Sequence, residues 1–311
     1  MKRIHSILAV VDRSNEAPRV ISKAVDIARR FGARLELFLC DAELAFQLTH
    51  AFDSTGVEQA RATCLAESKG YLELLREAAH APDMNIETDV DCSSPLYISI
   101  VKKVLRSKPD LVIKRVACVE GQGRCMPDAN DWQLMRACPA ALMLTRGRPW
   151  RVPPRLGAAV DVSDHAPGDF PVDVVQAAHY FSWGCQGTLE VFSAVPQASA
   201  ESLDRLEKLC TNTGVGPVAR QLLAGPAEEV LPPFVAQENF DAVVLGALTQ
   251  RPERRGLVGT LTAALLESLE CDFVLIKPAT YRCPIPLGEP PRGLGARQAD
   301  DKARTMRAAL R

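Results

Sequence analysis

Residues 9–12 read Ala-Val-Val-Asp, and residues 158–161 read Ala-Ala-Val-Asp. Each stretch closes an apolar run with an aspartate. Because a continuously apolar strand needs cover on both faces, such runs are typical of parallel sheets with helices on either side. A helical pattern and another apolar run follow each of them. The two stretches therefore predict two α/β units of the same design in one chain.

Two further pairs of segments support a repeat of whole domains. Residues 108–113 match residues 239–244, and residues 137–142 match residues 270–275. A duplicated unit explains all these matches together. In the first half the hydrophobic period predicts strands at 7–11, 35–39, 85–90, 110–113 and 140–145, with helices at 20–28, 57–79, 95–105 and 132–136. In the second half it predicts strands at 157–160, 188–194, 218–223, 241–245 and 273–276, with helices at 172–181, 200–210, 228–237 and 261–269.

The strands and helices alternate throughout, which favours doubly wound parallel sheets. We expect two tandem Rossmann-like domains with five parallel strands each, at residues 1–148 and 149–279. The join lies within residues 146–155, where glycine and prolines disfavour regular structure. Residues 280–311 are expected to form a flexible extension with a short helix at 300–310. The edge strands at 140–145 and 273–276 are predicted to pair across a pseudo-twofold axis, giving an internal pseudo-dimer, and a homodimer stays open.

Composition narrows the functional classes. The chain of 311 residues has 47% hydrophobic and 24% charged residues and a net charge of −1. These values are typical of a soluble globular protein, and they give no bulk attraction to nucleic acid or anionic lipid. The apolar run before Asp12 is too short for a signal peptide, and no run approaches the ~18 residues that span a membrane. We therefore expect a cytoplasmic protein without nucleic-acid or membrane partners.

The cysteines and histidines do not indicate a metal site. Ten cysteines contain no C-x-x-C pair, and the five histidines are far apart in the sequence. Most of the thiols are expected to be buried in a reducing compartment. A metal site built from Cys92, Cys118 or Cys125 stays open, although their spacing gives it no support.

A ligand site is predicted at the carboxyl ends of the strands in the second half, the edge at which open α/β sheets bind ligands. Asp161 follows the first strand of this half. After the fourth strand come Gly246-Ala247-Leu248-Thr249, nine residues, and then Gly259-Thr260-Leu261-Thr262 at the start of a helix. Glycine allows a phosphate to approach the backbone, the free N–H groups of the helix can receive it, and threonine hydroxyls can add donors.

This segment resembles the nucleotide motif of the universal stress protein family, G-x-x-G, nine residues, then Gly and Ser or Thr. The resemblance covers nearly all of residues 4–278 as two copies, of the family's tandem type. It implies an adenine nucleotide alpha hydrolase-like fold, ATP as cofactor, with magnesium only alongside ATP, and a binding site formed by Asp161, Gly246, Thr249, Gly259, Thr260 and Thr262. Thr249 replaces the second glycine of the motif, and its branched side chain narrows the backbone options there.

The first half departs further from the motif. Lys114 is predicted at the position of the first glycine, and Asp131-Trp132 at the position of the terminal pair. A carboxylate at a helix N-terminus satisfies the N–H groups that a phosphate needs. We therefore expect no triphosphate in this half, where Asp12 is interpreted as a strand-end or helix-capping carboxylate.

Two functions stay open. The resemblance implies a non-catalytic stress-response sensor or adaptor, supporting survival under oxidants or DNA damage, that binds an adenine nucleotide and acts on protein partners. A weak ATPase with Asp161 holding the metal stays open, and no catalytic residues are assigned. The alternative is a scaffold for an apolar small molecule, a lipid or a partner surface, lined by residues such as Leu44, Phe46, Leu48, Trp132 and Trp183. At such spacings, aromatic residues more often belong to a core.

Overall fold

A computed structural model describes residues 3–41, 54–92, 95–116, 126–163, 169–215, 218–247, 260–268 and 271–287. These residues form ten strands and eight helices, and each agrees with a predicted strand or helix to within a few residues. The predicted helix at 300–310 lies outside the described residues.

The strands of the first half are β1 (Ser6–Val11), β2 (Arg34–Cys40), β3 (Ile86–Asp91), β4 (Leu111–Arg115) and β5 (Ala141–Thr145). Those of the second half are β6 (Arg155–Ala159), β7 (Thr188–Val195), β8 (Ala219–Ala224), β9 (Ala242–Gly246) and β10 (Asp272–Ile276). The helices are α1 (Ala17–Phe31), α2 (Ser54–Ala78), α3 (Leu96–Ser107), α4 (Ala129–Ala137), α5 (Phe170–Gly184), α6 (Ala200–Asn212), α7 (Ala227–Glu238) and α8 (Thr260–Ser268).

All ten strands lie in one sheet, in the order β3-β2-β1-β4-β5-β10-β9-β6-β7-β8. The five strands of each half are parallel, as expected. The two halves meet where β5 and β10 pair antiparallel, with Leu144 opposite Phe273 and Leu142 opposite Leu275. The predicted pairing of these two edge strands is confirmed, so two parallel sheets continue into each other as one.

Helices cover both faces of the sheet. Buried side chains of α1, α2, α5 and α6 share one apolar core, and those of α3, α4, α7 and α8 share the other. Alternate residues of each strand face alternate cores: in β1, Ile7 and Ala9 face the first core, and Leu8 and Val10 face the second. This two-sided burial explains why central strands such as β1, β5 and β9 carry apolar residues on both faces.

The helix ends also repeat between the halves. Lys108 ends α3 and Asn239 ends α7, both with left-handed backbone and φ near 50°. The N–H of each donates to a carbonyl four residues earlier, in Val104 and Val235 respectively. The same turn therefore leads into β4 in the first half and into β9 in the second.

A buried carboxylate, Asp272, holds the two halves together. At the start of β10 its Oδ2 lies 2.8 Å from Lys23 Nζ in α1 and accepts a hydrogen bond of 2.8 Å from Trp150 Nε1 in the linker. Its Oδ1 accepts from Thr145 Oγ1 at 3.0 Å and from Arg146 N at 2.7 Å, at the end of β5. The Asp272 and Lys23 side chains are only 2% and 5% exposed. One carboxylate thus joins β10 to a helix, a strand and the linker.

Helices α1 and α5, which occupy the same place in the two halves, pack against each other beside this junction. The Phe31 ring of α1 lies 5.4 Å from that of Tyr180 and 5.5 Å from that of Phe181. Gly184 is required here because a Cβ on it would overlap the Phe31 ring. The Tyr180 hydroxyl also accepts a hydrogen bond of 3.1 Å from the Ile4 backbone.

The segment after β10 returns to the first half. Lys277 Nζ donates to the Cys138 carbonyl at 2.6 Å, and the Tyr281 hydroxyl donates to the Arg136 carbonyl at 2.6 Å. The ammonium of Lys277 lies 5.1 Å from the centre of the Tyr281 ring. Burial lowers the pKa of Lys277 to about 8. No helix among the described residues combines the length and the apolar character needed to cross a bilayer.

We expect Asp272→Asn to lower the free energy of unfolding by about 3–5 kcal/mol, because it leaves the ammonium of Lys23 buried without its charge partner. Urea unfolding followed by circular dichroism measures this. The matched control is Asp204→Asn, which breaks an exposed ion pair with Lys208 on α6 and should change little. Equal effects of the two substitutions would contradict the role given to Asp272.

Lys277→Met should stabilise the protein below pH 8, because it removes an ammonium that burial disfavours. The pKa of Lys277 is lower in the folded chain than its ordinary value of 10.5, so the unfolded chain binds more protons between these two pH values. The wild type therefore gains stability as pH rises from about 8 to about 10, and the advantage of the variant shrinks by roughly 1–3 kcal/mol. A difference between the two proteins that does not vary with pH would refute this prediction, as measured by urea unfolding across that range.

Candidate functional site

Asp12 and Asp161 occupy the same place in the two halves. Each follows the first strand of its half, at the carboxyl edge of the sheet, and each side chain is exposed. Asp161 Oδ1 accepts a hydrogen bond of 2.9 Å from Ser163 N, and Asp12 Oδ1 accepts one of 3.0 Å from Ser14 N. The two Asp-x-Ser turns are therefore alike, and differences between the sites must come from neighbouring strands and helices.

The structure corrects the predicted match between the halves by one residue. Strands β4 and β9 each contain five residues and each follow an aspartate, Asp110 or Asp241. Their last residues are Arg115 and Gly246, so Arg115, not Lys114, takes the position of the first motif glycine. The predicted match of residues 108–113 with residues 239–244, continued by two residues, also places Arg115 opposite Gly246.

The terminal pair of the motif shifts as well. Thirteen residues separate β4 from α4 (116–128), and thirteen separate β9 from α8 (247–259). In this alignment Asp128 corresponds to Gly259, and Asp131 corresponds to Thr262. The predicted match of Asp131-Trp132 to the Gly-Thr pair that ends the motif is therefore wrong by three positions.

In the first half, side chains of the chain itself fill the N-terminus of α4. Asp128 Oδ1 accepts from Asp131 N at 2.8 Å, and Asp131 Oδ2 accepts from Asp128 N at 3.1 Å, which forms a capping box. The other oxygen of Asp131 forms an ion pair of 2.7 Å with Lys114 Nζ, and the Asp131 side chain is fully buried. Carboxylates thus occupy the end of the helix that would face a phosphate.

A cation occupies the neighbouring strand end in this half. Arg115 Nη2 donates to Ser14 Oγ at 3.5 Å, and its Nε lies 3.9 Å from Asp12 Oδ2. The Arg115 side chain is only 12% exposed. The edge of the first half is therefore filled by its own arginine and carboxylates.

In the second half, Gly246 replaces this arginine, and its missing side chain makes room for an aromatic ring. A Cβ on Gly246 would lie 2.5 Å from Phe170 Cε1, at the start of α5. The ring thus packs directly against the end of β9. The absence of a side chain at Gly246 is explained by packing, whether or not a ligand also approaches this strand end.

Thr262 connects α8 to the same strand end. Its hydroxyl donates to the Gly246 carbonyl at 3.0 Å, and its side chain is buried. The hydroxyl therefore donates its proton to a backbone carbonyl. Thr262 thus positions α8, and this proton is not available for a hydrogen bond to a ligand. Thr260 is the first residue of α8. Thr249 and Gly259 lie outside the described residues.

Of the residues suggested for an apolar pocket, the two described ones, Trp132 and Trp183, lie on helices that cover opposite faces of the sheet. Trp132 is partly buried against the second core, whereas Trp183 is 71% exposed on α5. Leu44, Phe46 and Leu48 lie outside the described residues, as do Cys118 and Cys125. Within the described part of the chain, no group of three or more histidine, cysteine or acidic side chains is arranged to hold a metal ion.

Comparison with known proteins agrees with this architecture. The sequence profile described as the universal stress protein family matches residues 3–115. These residues belong to the universal stress protein family. The whole chain is also similar to tandem members of the family, at low sequence identity.

One such relative is universal stress protein E of Photorhabdus laumondii, 21% identical, with alignment over 92% of this chain and 98% of the relative. Universal stress protein E of Escherichia coli K12 is 19% identical over 93% of this chain and 99% of that protein. The crystal structure of a universal stress protein from Pseudomonas aeruginosa superposes with a TM-score of 0.70 at 20% identity, covering 88% of this chain and 94% of that one. That structural similarity extends the family's fold to both halves.

Gly246→Ala should lower the free energy of unfolding by about 1–3 kcal/mol without any ligand present, because the new methyl group overlaps the Phe170 ring. Thermal unfolding of the ligand-free protein measures the effect. A shorter side chain relieves the overlap, so Gly246→Ala should cost less stability in a Phe170→Leu background than in the wild type, and as much in a Phe181→Leu background as in the wild type. An equal cost in all three backgrounds would show that Phe170 does not limit this position.

Proposed function

We propose that the protein is a non-catalytic stress-response protein whose second half binds an adenine nucleotide at the carboxyl edge of its sheet. The first half would serve as a structural partner. Membership of residues 3–115 in the universal stress protein family supports the stress role. The difference in side chains between the two equivalent edges supports nucleotide binding by the second half alone.

That difference is the observation on which the proposal depends. In the first half the relevant positions are Arg115, Asp128 and Asp131, and all three side chains are engaged at the edge. At the corresponding positions the second half has Gly246, Gly259 and Thr262. Two glycines and a small hydroxyl residue thus replace an arginine and two carboxylates.

The partial charge at the helix N-terminus also favours binding of an anion in the second half. The N-terminus of a helix carries a partial positive charge and unpaired N–H groups, which attract anions. In α4 the carboxylate of Asp128 already occupies that position. A glycine at the corresponding position before α8 supplies no carboxylate, so we infer that a phosphate group takes its place.

Asp161 completes the proposed site at the end of the neighbouring strand. Because β6 and β9 are parallel neighbours, the residues that follow them lie at the same edge. Asp161 is exposed, and its oxygens can accept hydrogen bonds from a ribose or an adenine amine. Magnesium would enter only with the nucleotide, as the counterion of its phosphates.

Gly259→Asp tests the proposal by placing the carboxylate of the first half into the second. We expect at least a tenfold loss of affinity for Mg·ATP by isothermal titration calorimetry, because the new side chain repels the phosphates and can cap α8 itself. The thermal stability of the ligand-free protein should stay equal or rise, since aspartate is at least as good a helix cap as glycine.

Two further variants serve as controls. One alters the equivalent aspartate of the first half, and the other alters the aspartate proposed to contact the ribose or the adenine. Asp12→Asn should leave the affinity for ATP unchanged, whereas Asp161→Asn should lower it. Mass spectrometry of the protein as purified identifies any ligand that it retains. If the wild type does not bind adenine nucleotides, nucleotide binding is refuted: a released lipid would then favour the apolar scaffold, and a protein without ligand would favour an adaptor.

A further inference from the structure

Two buried cysteines of the first half lie in direct contact. Cys64 is on α2, and Cys92 directly follows β3; their Sγ atoms are 3.1 Å apart. The two residues are 3% and 6% exposed. They are 28 positions apart in the sequence, so the fold brings them together without a C-x-x-C motif.

The two cysteines lie near the carboxyl edge of the sheet in the first half. Ser68, one turn after Cys64 on α2, has its hydroxyl 3.9 Å from Cys64 Sγ and accepts a hydrogen bond of 2.8 Å from Arg13 Nη2. Arg13 directly follows Asp12 and also pairs with Asp41 at 3.2 Å. A chain of contacts thus connects the two sulfurs with the loop after β1.

We propose that Cys64 and Cys92 form a reversible intramolecular disulfide when a peroxide oxidises the protein. A disulfide bond is about 2.05 Å long, so the sulfur atoms need to approach by only about 1 Å. Such a shift is compatible with side-chain rotation, because α2 and β3 are already packed against each other. Within the described residues no third ligand is arranged with this pair to hold a metal ion.

The reaction balances with hydrogen peroxide as the oxidant. One thiolate attacks a peroxide oxygen, the O–O bond breaks, and a sulfenic acid and hydroxide form; the hydroxide takes up the thiol proton as water. The second sulfur then attacks the sulfenic sulfur and displaces a second water. In sum, two thiols lose two electrons and two protons, and one peroxide becomes two waters.

The buried environment slows the oxidation of the first thiol, and the nearby second thiol limits oxidation beyond the sulfenic acid. Burial raises the pKa of the Cys92 thiol to about 12, and the adjacent Cys64 adds to the shift. Since the thiolate is the reactive form, the first step should accelerate as pH rises. Once a sulfenic acid forms, the neighbouring thiol is close enough to capture it before further oxidation.

The test uses the full reduced chain, treated with excess hydrogen peroxide, blocked with iodoacetamide and digested with trypsin without reductant. Mass spectrometry should find the peptide of residues 62–69 linked to that of residues 77–102. The link should form faster at alkaline than at neutral pH and disappear with dithiothreitol. Oxidation should also raise the thermal unfolding midpoint, because the bond restrains the unfolded chain.

Cys64→Ala and Cys92→Ala should each abolish the link, and the cysteine that remains should accumulate sulfinic acid. The matched control is Cys210→Ala, which removes a buried cysteine from α6 in the second half and should leave the link intact. Cys283 is partly exposed and reports whether peroxide has reacted with the sample. If Cys283 is oxidised while Cys64 and Cys92 stay reduced in the folded wild type, or if they link to other cysteines, the proposal is wrong.

Discussion

The buried carboxylate of Asp272 constrains the whole molecule. It forms an ion pair with an ammonium of α1. It also accepts hydrogen bonds from an indole N–H of the linker and from a hydroxyl and a backbone N–H at the end of β5. A buried charge is tolerated only when it is paired and hydrogen-bonded, so these groups must converge for the chain to fold as it does. The convergence fixes how β10 lies against β5, and a continuous ten-stranded sheet follows from that pairing.

Duplication explains why such a junction exists. Each half ends in an edge strand, and an unpaired edge presents open hydrogen-bonding groups. Antiparallel pairing of β5 with β10 covers both edges at once and places the equivalent helices α1 and α5 side by side. The symmetry is broken at the junction: Gly184 makes room for Phe31, and β10 begins with the carboxylate of Asp272, whereas β5 begins with Ala141.

The two halves differ in charge at the edge where nucleotides are expected. The first half uses its own Arg115, Asp128 and Asp131 to satisfy charges that a ligand would otherwise meet. In the second half, glycines stand at two of these three positions. A half that satisfies its own charges can contribute to stability without a ligand, and we infer that this division of roles leaves the second half to bind one. The thiol pair of Cys64 and Cys92 adds a separate chemical feature to the first half.

The sequence by itself determined the order and type of every described strand and helix, the duplication, and the pairing of the two edge strands. The strands and helices follow from local periodicity, since burial of one or both faces imposes a period on neighbouring residues. The duplication follows from matching segments of sequence, and the pairing from the symmetry that a duplication implies. It also identified Asp161, Gly246 and Thr262 as residues at one sheet edge. It misplaced Lys114 by one position, although the match of residues 108–113 with residues 239–244 already aligns Arg115 with Gly246.

Only the tertiary structure decided which distant side chains meet. Lys23, Trp150 and Asp272 are separated by more than a hundred residues, and Cys64 and Cys92 carry no spacing motif. The contact of Phe170 with Gly246, and the use of the Thr262 hydroxyl by a backbone carbonyl, likewise have no signal in the sequence. The physical reason is that periodicity reports whether a residue is buried, whereas its partner is chosen when separate elements pack together.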